Sequence, residues 1–268
     1  MTTRLRQLQV DAFTDTVFRG NPAAIVVLDE WLGDETLQAI TAENRYSETA
    51  FIVPSDEDAA DYHLRWFTPG GEVALCGHAT LGTAHALFEH LDHVGDLVRF
   101  TTKSGILSVR RAGGDLIMDF PVQPSDVIDP EPIIAELIGA TPIELRCSTI
   151  DHLRRMAVFE SQDIIDAAAP DVRRILDIPG GCLLITAPGE DVDFVSRFFA
   201  PYAGIDEDPV TGSAHCLMTP YWASRLGRTT LTAHQRSERG GRMTCELAGD
   251  RVLLKGRAVT FLDGWIFI

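Results

Sequence analysis

Two glycine-bearing segments hold most of the residues in this chain that could do chemistry. Arg65 to His85 reads RWFTPGGEVALCGHATLGTAH, and Arg197 to His215 reads RFFAPYAGIDEDPVTGSAH. In each, an aromatic strand runs to a proline (Pro69, Pro201), a glycine loop follows, then a glutamate (Glu72, Glu207), and four residues later a Cys or Thr precedes a Gly. With three extra residues allowed in the second loop, Cys76, Gly77, His78 and Ala79 align with Thr211, Gly212, Ser213 and Ala214. The first turn of a helix carries N–H groups without internal partners and the positive end of the macrodipole, so a helix starting at each glycine favours an anion. Gly77 and Gly212 also lack the Cβ that would hold a ligand off the backbone. Two such helix starts facing each other across a cleft would receive a carboxylate. Taken singly, either glycine reads more readily as an ordinary turn residue; the repetition favours the receptor.

Two further candidates lie outside the repeat. Glu48 sits with Ser47 at the mouth of an apolar strand, Ala50 to Val53. Beside Phe51 it reads either as a solvated strand-end acid or as a general base in a dry pocket. Asn21, in Arg19-Gly20-Asn21-Pro22, reads as a turn residue or as an amide pointed into the cleft.

The elements that must position these groups follow from patterning. Strands at Arg6 to Phe13 and Ala23 to Leu28 flank the Asn21 turn. Asp34 is placed to cap a helix running to about Asn44, with Leu37 and Ile40 buried. Strand Tyr62 to Phe67 leads into the first glycine loop, and Ala79 to His90 has a helical apolar repeat. Three short strands span Leu97 to Phe120, and the Pro- and Asp-rich stretch 121–132 reads as a linker. Beyond it come a helix from Pro132 to Leu137, a strand from Met156 to Phe159, and an amphipathic stretch from Ile164 to Leu176 split by Pro170. Strands Cys182 to Ala187 and Phe194 to Phe199 precede a second glycine-led helix, which runs to Leu226, is ended by Gly227 and is kinked at Pro220. The remaining strands include Met243 to Leu247, Val252 to Leu254, Ala258 to Phe261 and Trp265 to Ile268. The reading is α+β: two pseudo-symmetric lobes, residues 1–122 and 123–268, with the last strand able to pack back onto the first lobe. Each lobe has one helix whose apolar surface is broad enough for a sheet to wrap.

Composition narrows the function. The 268 residues are 45% hydrophobic and 23% charged, as expected of a globular chain. A formal charge of −16, with no basic stripe, repels nucleic acid and anionic membrane, so neither is an expected partner. The N-terminal sequence lacks a signal-type apolar core, and no apolar run approaches the ~20 residues of a membrane span; the expected compartment is cytoplasmic. Five scattered cysteines without a CxxC pair indicate neither a disulfide framework nor a zinc ribbon.

The chain resembles the phenazine biosynthesis PhzF-like family, within the diaminopimelate epimerase fold. The likeness runs through VDAFTDTVFRGNPAAIVVL (Val10 to Leu28), SETAFI (Ser47 to Ile52), RWFTPGGEVALCGHATLGTAHAL (Arg65 to Leu87) and FAPYAGIDEDPVTGSAHC (Phe199 to Cys216). It implies two similar lobes, each a β-barrel-like sheet around a central helix, a site in the cleft between them, and no metal or organic cofactor. It further implies that Glu48 is the acid/base group, that His78, Asp208 and Ser213 line the same site, and that Gly77 and Gly212 supply backbone donors. Family members often pair as homodimers, and the resemblance implies that state here. Proton abstraction from carbon leaves an enolate-like charge, which needs a base of raised pKa and preorganised donors. Desolvation in a closed cleft is expected to raise Glu48, with the proton state of Asp208 pushed apart from it. His78 would donate to the substrate carboxylate or shuttle the proton.

The cysteines separate this chain from its two-thiol relatives. Diaminopimelate epimerases and proline racemases, which share the fold, use one thiol from each half. Here the first position is Cys76, which a helix N-terminus would activate, and its mate is Thr211, whose hydroxyl cannot serve as a base near neutral pH. Cys216 lies five residues beyond Thr211, more than a turn along the helix, and should point elsewhere. His78 and His85, seven apart, lack metal-site spacing. No GxGxxG after a strand, no GxxxxGK[ST] and no GxSxG occurs. The expected function is cofactor-independent isomerisation or epimerisation of a small carboxylate; the alternatives are a small-acid binding protein of the same fold and proton abstraction that ends in elimination. Asn21, Cys76, Gly77, Thr211, Gly212 and Ser213 are the expected binding residues.

Overall fold

The computed structural model describes residues 2–268. It divides into two compact units, one holding the chain up to Asp119 together with Lys255–Ile268, the other Phe120–Leu254. The first contains strands β1 (Arg4–Ala12) and β2 (Asn21–Val27), helix α1 (Asp34–Asn44), β3 (Thr49–Pro54), β4 (Tyr62–Thr68), β5 (Gly71–Val73), helix α2 (Gly77–His90), β6 (Leu97–Thr102), β7 (Gly105–Ala112) and β8 (Asp115–Pro121). Here β2 is antiparallel to β1, β3 parallel to β2, β4 antiparallel to β3, β6 parallel to β4, and β7 and β8 follow as antiparallel hairpins. The short β5 folds back on β4.

The second unit contains β9 (Ser125–Val127), α3 (Pro132–Ile138), β10 (Glu144–Ser148), β11 (Arg155–Val158), α4 (Gln162–Ala167), a 3-10 turn (Val172–Asp177), β12 (Leu183–Pro188), β13 (Phe194–Ala200), β14 (Ile205–Asp208), α5 (Gly212–Leu226), β15 (Thr230–Gln235), β16 (Gly241–Ala248) and β17 (Arg251–Gly256). Its pairing repeats the first unit's step for step: β10 and β11 antiparallel, β11 and β12 parallel, β12 and β13 antiparallel, β13 and β15 parallel, β15 and β16 antiparallel, with β14 folded back on β13. The sequence repeat is thus a repeat of topology. The final strand β18 (Ala258–Phe267) pairs antiparallel with β1, in the first unit.

Each sheet has an inner and an outer helical layer. In the first unit α2 packs against β1, β2, β3, β7 and β18, and Ala79, Leu81, Ala84, Ala86, Leu87 and Phe88 are all buried. A helix apolar on every side is a core helix, and its small residues let surrounding strands approach. On the outer face, α1 adds Leu37 and Ile40 to a cluster with Val26, Phe51 and Phe67. The second unit follows the same plan, with α5 inside and Ile134, Ile165 and Ile175 packed on Leu183 and Ile185 outside.

Several elements differ from expectation. Gly33, not Asp34, precedes the first helical residue of α1, and the Asp34 carboxylate instead accepts from Arg65 Nη2 at 2.9 Å. The linker contains β9, which adds to β10 by backbone pairing. One strand, β18, runs where two were expected, with a register shift between Gln9 and Val10 accommodating it. Strands β5, β10, β14 and β15 were not legible from pattern, being short or lacking clean alternation. Pro220 lies inside α5; the carbonyl that it leaves without a donor, that of Cys216, accepts from the Gln123 N–H at 3.2 Å. Gly227 ends the helix in the left-handed region, φ 65°. Among the described residues no helix is long and apolar enough to cross a membrane.

One interaction is duplicated atom for atom. Arg65 on β4 donates through Nε and Nη2 to the two oxygens of Glu72 on β5, at 2.7 and 2.8 Å. Arg197 on β13 does the same to Glu207 on β14, at 2.7 and 2.8 Å. Each guanidinium also lies over the phenylalanine two residues along its strand, Phe67 or Phe199. Such bidentate, part-buried pairs fix geometry as well as adding attraction. They clamp the hairpin from which each central helix emerges.

The hydrogen bond from Arg65, which outweighs the cost of burial, helped by Lys103, holds the Glu72 carboxyl down at about 2 from an ordinary 4.5. A depressed acid stabilises the fold fully above its unfolded pKa and loses that contribution as pH falls toward its folded one. Glu72→Gln should therefore cost about 2 kcal/mol at neutral pH, between the values for exposed and buried pairs. In urea unfolding at several pH values the gap between variant and wild type should close between about pH 4.5 and 2; a gap independent of pH would show that the pair carries no charge-dependent stability.

Candidate active site

The first unit gathers Asn21, Glu48, Cys76 and His78. Asn21 opens β2 and is fully buried. It is delivered by Gly20, whose φ of 66° and surroundings admit no side chain: an added Cβ would lie 2.1 Å from the Ala12 carbonyl oxygen. The Asn21 amide nitrogen lies 3.2 Å from His78 Nδ1. Glu48 immediately precedes β3, which is parallel to β2, so the carboxylate comes up beside the start of α2. Its Oε2 is 3.2 Å from His78 Nε2; this oxygen is buried and off the line of a well-formed hydrogen bond. Cys76 is the residue before α2, with Sγ 3.5 Å from His78 Nδ1 and 3.9 Å from Nε2. Gly77 is the first residue of the helix.

The electrostatics of this group correct two expectations. Burial pushes the Glu48 carboxyl up, as anticipated, but the charge and polar contact of His78, with help from Ser47, outweigh it, and the carboxyl ends below its ordinary range. Burial pushes His78 down, yet the neighbouring Cys76 and Glu48 together raise it well above 6.5. Glu48 and His78 thus each favour the other's charged form, while the part of the His78 shift that comes from Cys76 needs a thiolate, which burial and the Glu48 charge oppose. Cys76 is not activated by its helix position: burial, then the Glu48 charge, push the thiol up. His85 does not share the site. Its Nε2 meets Thr260 Oγ1 at 2.9 Å, and burial lowers it to about 4.

The second unit arranges Asp208, Thr211, Gly212 and Ser213 around the start of α5. Asp208 ends β14, Thr211 precedes the helix, and Gly212 and Ser213 are its first residues. The Thr211 hydroxyl donates to Asp208 Oδ2 at 2.5 Å. Two residues unremarked in the sequence complete the arrangement. Gln235, fully buried at the end of β15, accepts from the Thr211 N–H at 2.8 Å and donates to the Asp208 carbonyl at 2.7 Å and to Thr211 Oγ1 at 3.2 Å. Arg154 donates through Nη1 to Gln123 Oε1 at 3.1 Å and to Ser213 Oγ at 3.4 Å, which sets a cation beside the first turn of α5. Neither residue has local sequence context that announces it; only strand pairing brings it near. Cys216 is buried in α5, and its thiol is pushed up to about 12, chiefly by burial.

The two helix starts are built alike. Neither Cys76 nor Thr211 caps its helix through its side chain, and neither first turn carries an acid. In both, the fourth residue on reaches back to the carbonyl of the residue before the helix: Thr80 Oγ1 donates to Cys76 O at 2.6 Å, and His215 Nδ1 to Thr211 O at 2.8 Å. The His215 ring is otherwise buried, and burial lowers it to about 4, so it stays neutral. First-turn N–H groups without an acid or a side-chain cap suit a bound anion.

Gln235→Leu should take from the buried Thr211 N–H the acceptor that Gln235 supplies, at a cost of about 1–3 kcal/mol. Thermal unfolding should register the loss, and amide exchange at Thr211 should quicken relative to the β12 core. Unchanged exchange there would mean that Gln235 does not hold the loop.

Comparison with known proteins places the chain. Residues 10–264 match the PhzC-PhzF family model, described as phenazine biosynthesis-like protein. The chain is 48% identical over 261 residues to the uncharacterized isomerase PA2770 of Pseudomonas aeruginosa, covering 97% of this chain and 98% of that one. A crystal structure of a phenazine biosynthesis protein of the PhzF family from Enterococcus faecalis superposes with a TM-score of 0.93 at 39% identity, covering 99% of this chain and 100% of that one. A predicted epimerase, PA4716 of Pseudomonas aeruginosa, shares the fold at a TM-score of 0.72 and 21% identity, covering 98% of this chain and 99% of that one. With a repeated strand order, a buried helix at the heart of each unit and relatives named as isomerases over almost its whole length, the chain belongs to the phenazine biosynthesis-like PhzC-PhzF family and is an enzyme of the isomerase class.

Proposed function

We propose that the enzyme moves a proton on carbon in a small carboxylate substrate, with Glu48 as acid/base, in a cleft to which both units contribute. The observation that carries this is the Glu48 and His78 pair: a carboxylate held ionised, 3.2 Å from an imidazole, at the uncapped start of a buried helix. An ionised carboxylate is ready to accept a proton, and a cationic ring with helix N–H groups is ready to receive negative charge as it develops. In the resting arrangement the imidazolium weakens Glu48 as a base. A substrate carboxylate lying against His78 and the first-turn N–H groups shares that positive charge, and excludes water from Glu48. Both changes raise the Glu48 pKa toward a value at which proton uptake from carbon is easier.

In this reading Asp208, held by the Thr211 hydroxyl, and Ser213 complete the substrate's surroundings, with Gly77 and Gly212 supplying backbone donors. The asymmetry of the chain suits one-sided chemistry. Thr211 stands where a two-thiol racemase would need its second cysteine, and its proton is committed to Asp208. Removal and return of the proton by a single carboxylate leads to positional isomerisation more directly than to inversion.

The test is solvent exchange. A panel of small unsaturated and hydroxylated carboxylic acids incubated with the enzyme in heavy water should include at least one that gains deuterium on carbon, read by proton NMR. Glu48→Gln should slow that gain by about 10²–10⁴, the usual contribution of a positioned base, while circular dichroism and thermal unfolding stay those of the wild type. Undiminished exchange in the variant would remove Glu48 from the mechanism, and saturable binding without exchange by any acid would favour a binding protein.

A further inference from the structure

The repeat between the units breaks at one corner, near the end of α5. Strand pairing fixes which residues correspond. Phe67 pairs with Thr49, Thr49 with Ala24 and Ala24 with Gln9. Phe199 pairs with Leu183, Leu183 with Arg155 and Arg155 with Cys147. Gln9 and Cys147 are therefore equivalent, so Leu8 corresponds to Arg146 and Val10 to Ser148. Thr260 of β18 pairs with Val10, and Ser125 of β9 pairs with Ser148. Along the helices, with Cys76 equivalent to Thr211, His85 corresponds to Pro220, Ala86 to Tyr221 and His90 to Arg225. In the first unit this corner is closed: Leu8 and Ala86 are fully buried, and His85 and His90 both meet Thr260 Oγ1, at 2.9 and 2.7 Å.

In the second unit the same corner is open. Strand β18 runs for ten residues, whereas β9 has three. The space is a cavity of about 520 Å³, within the range of small-molecule sites, lined by Ser125, Arg146, Tyr221, Ser224 and Arg225, with Val122, Pro124 and Pro220 as apolar walls. Arg146, in the place of Leu8, donates through Nε to Ser125 Oγ, through Nη2 to Ser125 O and through Nη1 to Glu144 Oε1. One N–H on each of its terminal nitrogens is left over. Arg225 donates through Nη1 to Tyr221 Oη at 2.5 Å, and no carboxylate among the described residues pairs with it. Both guanidiniums lie by the Tyr221 ring, 5.5 and 5.9 Å from its centroid. Neither the Tyr221 proton nor the Ser224 hydroxyl meets an acceptor among the described residues. Burial holds the Tyr221 phenol above its ordinary range, so it remains a donor. Two guanidiniums against the one carboxylate of Glu144 give a cationic excess at a concave spot, in a chain whose net charge is −16.

We propose that this cavity binds a small organic anion, with Arg146 and Arg225 gripping its carboxylate or phosphate group, the Tyr221 and Ser224 hydroxyls donating to it, and the Tyr221 ring and the proline walls holding an apolar body. Guanidinium forks with N–H groups to spare match the oxygens of either head group. Arg146 makes the corner a site: a leucine there, as in the first unit, would remove the charge from its wall. Tyr221 to Arg225 lie roughly 14–20 Å along α5 from Gly212. The cavity is thus separate from the residues proposed for proton transfer, and its ligand does not depend on that function.

Benzoate, phenyl phosphate, inorganic phosphate and neutral benzamide are suitable probes, each titrated into isotope-labelled full-length protein and followed by amide chemical shifts. Benzoate or phenyl phosphate should saturably shift the amides of Ser125, Arg146, Tyr221 and Arg225, and benzamide should not; the tighter of the two anions identifies the head group. Arg225→Gln and Arg146→Leu should each weaken binding by at least about tenfold, the loss of a charge-assisted hydrogen bond. If Arg146→Leu fails to fold, Arg225→Gln decides, since that side chain is exposed and makes one hydrogen bond. No shift at these amides with either organic anion, equal shifts with benzamide, or undiminished affinity in Arg225→Gln would overturn the site. Shifts confined to residues around His78 or Gly212 would assign the binding to the proton-transfer residues and overturn it too. Inorganic phosphate binding as tightly as phenyl phosphate and benzoate would overturn the role given to the apolar walls.

Discussion

A helix buried on every side must still satisfy the N–H groups of its first turn, and this constraint organises each unit of the protein. Around α2 and α5 the strands cover the apolar faces, and at each helix start the first-turn N–H groups have no partner within the helix and no cap from the preceding side chain. Side chains do not cap them. The residue before each helix sends its carbonyl to a side chain one turn on, Thr80 or His215, and leaves the first-turn N–H groups free of local competition. An anion is the natural occupant, and the polar residues of each unit cluster there.

The paired Arg–Glu clamps explain how such a start is held in place. Arg65 with Glu72 and Arg197 with Glu207 tie two strands together just before the chain turns into the helix, and the bidentate geometry fixes direction as well as distance. The surrounding solutions then diverge. The first unit places a cysteine, a histidine and a glutamate around its helix start. The second places hydroxyls and an aspartate there, organised by Gln235 and flanked by Arg154. A repeated frame has acquired a titratable half and a hydrogen-bonding half.

Within the titratable half, two large effects oppose each other. Removing Glu48 from water favours its neutral form, whereas an imidazole 3.2 Å away favours its charged form, and the near charge wins. Each group favours the charged form of the other. A ligand that draws off either charge shifts the other's affinity for protons.

Much of the architecture was legible in the sequence because it rests on local periodicity and local punctuation. The apolar repeat from Ala79 to His90, the glycine after Leu226, the break at Pro170 and the alignment of Cys76-Gly77-His78 with Thr211-Gly212-Ser213 depend only on neighbours along the chain. Glu48 and His78 could likewise be singled out by motif, though not the distance between them. That distance follows from β3 lying parallel to β2 beside α2, and it reversed the expected direction of the Glu48 pKa shift. Tertiary structure alone decided that Gln235 holds the Asp208 to Thr211 loop, that Arg154 reaches Ser213, and that the Cys76 thiol is suppressed by burial rather than activated by its helix. Each of these depends on groups far apart in sequence meeting in a low-dielectric interior, where desolvation and single close contacts outweigh any preference that a residue carries by itself.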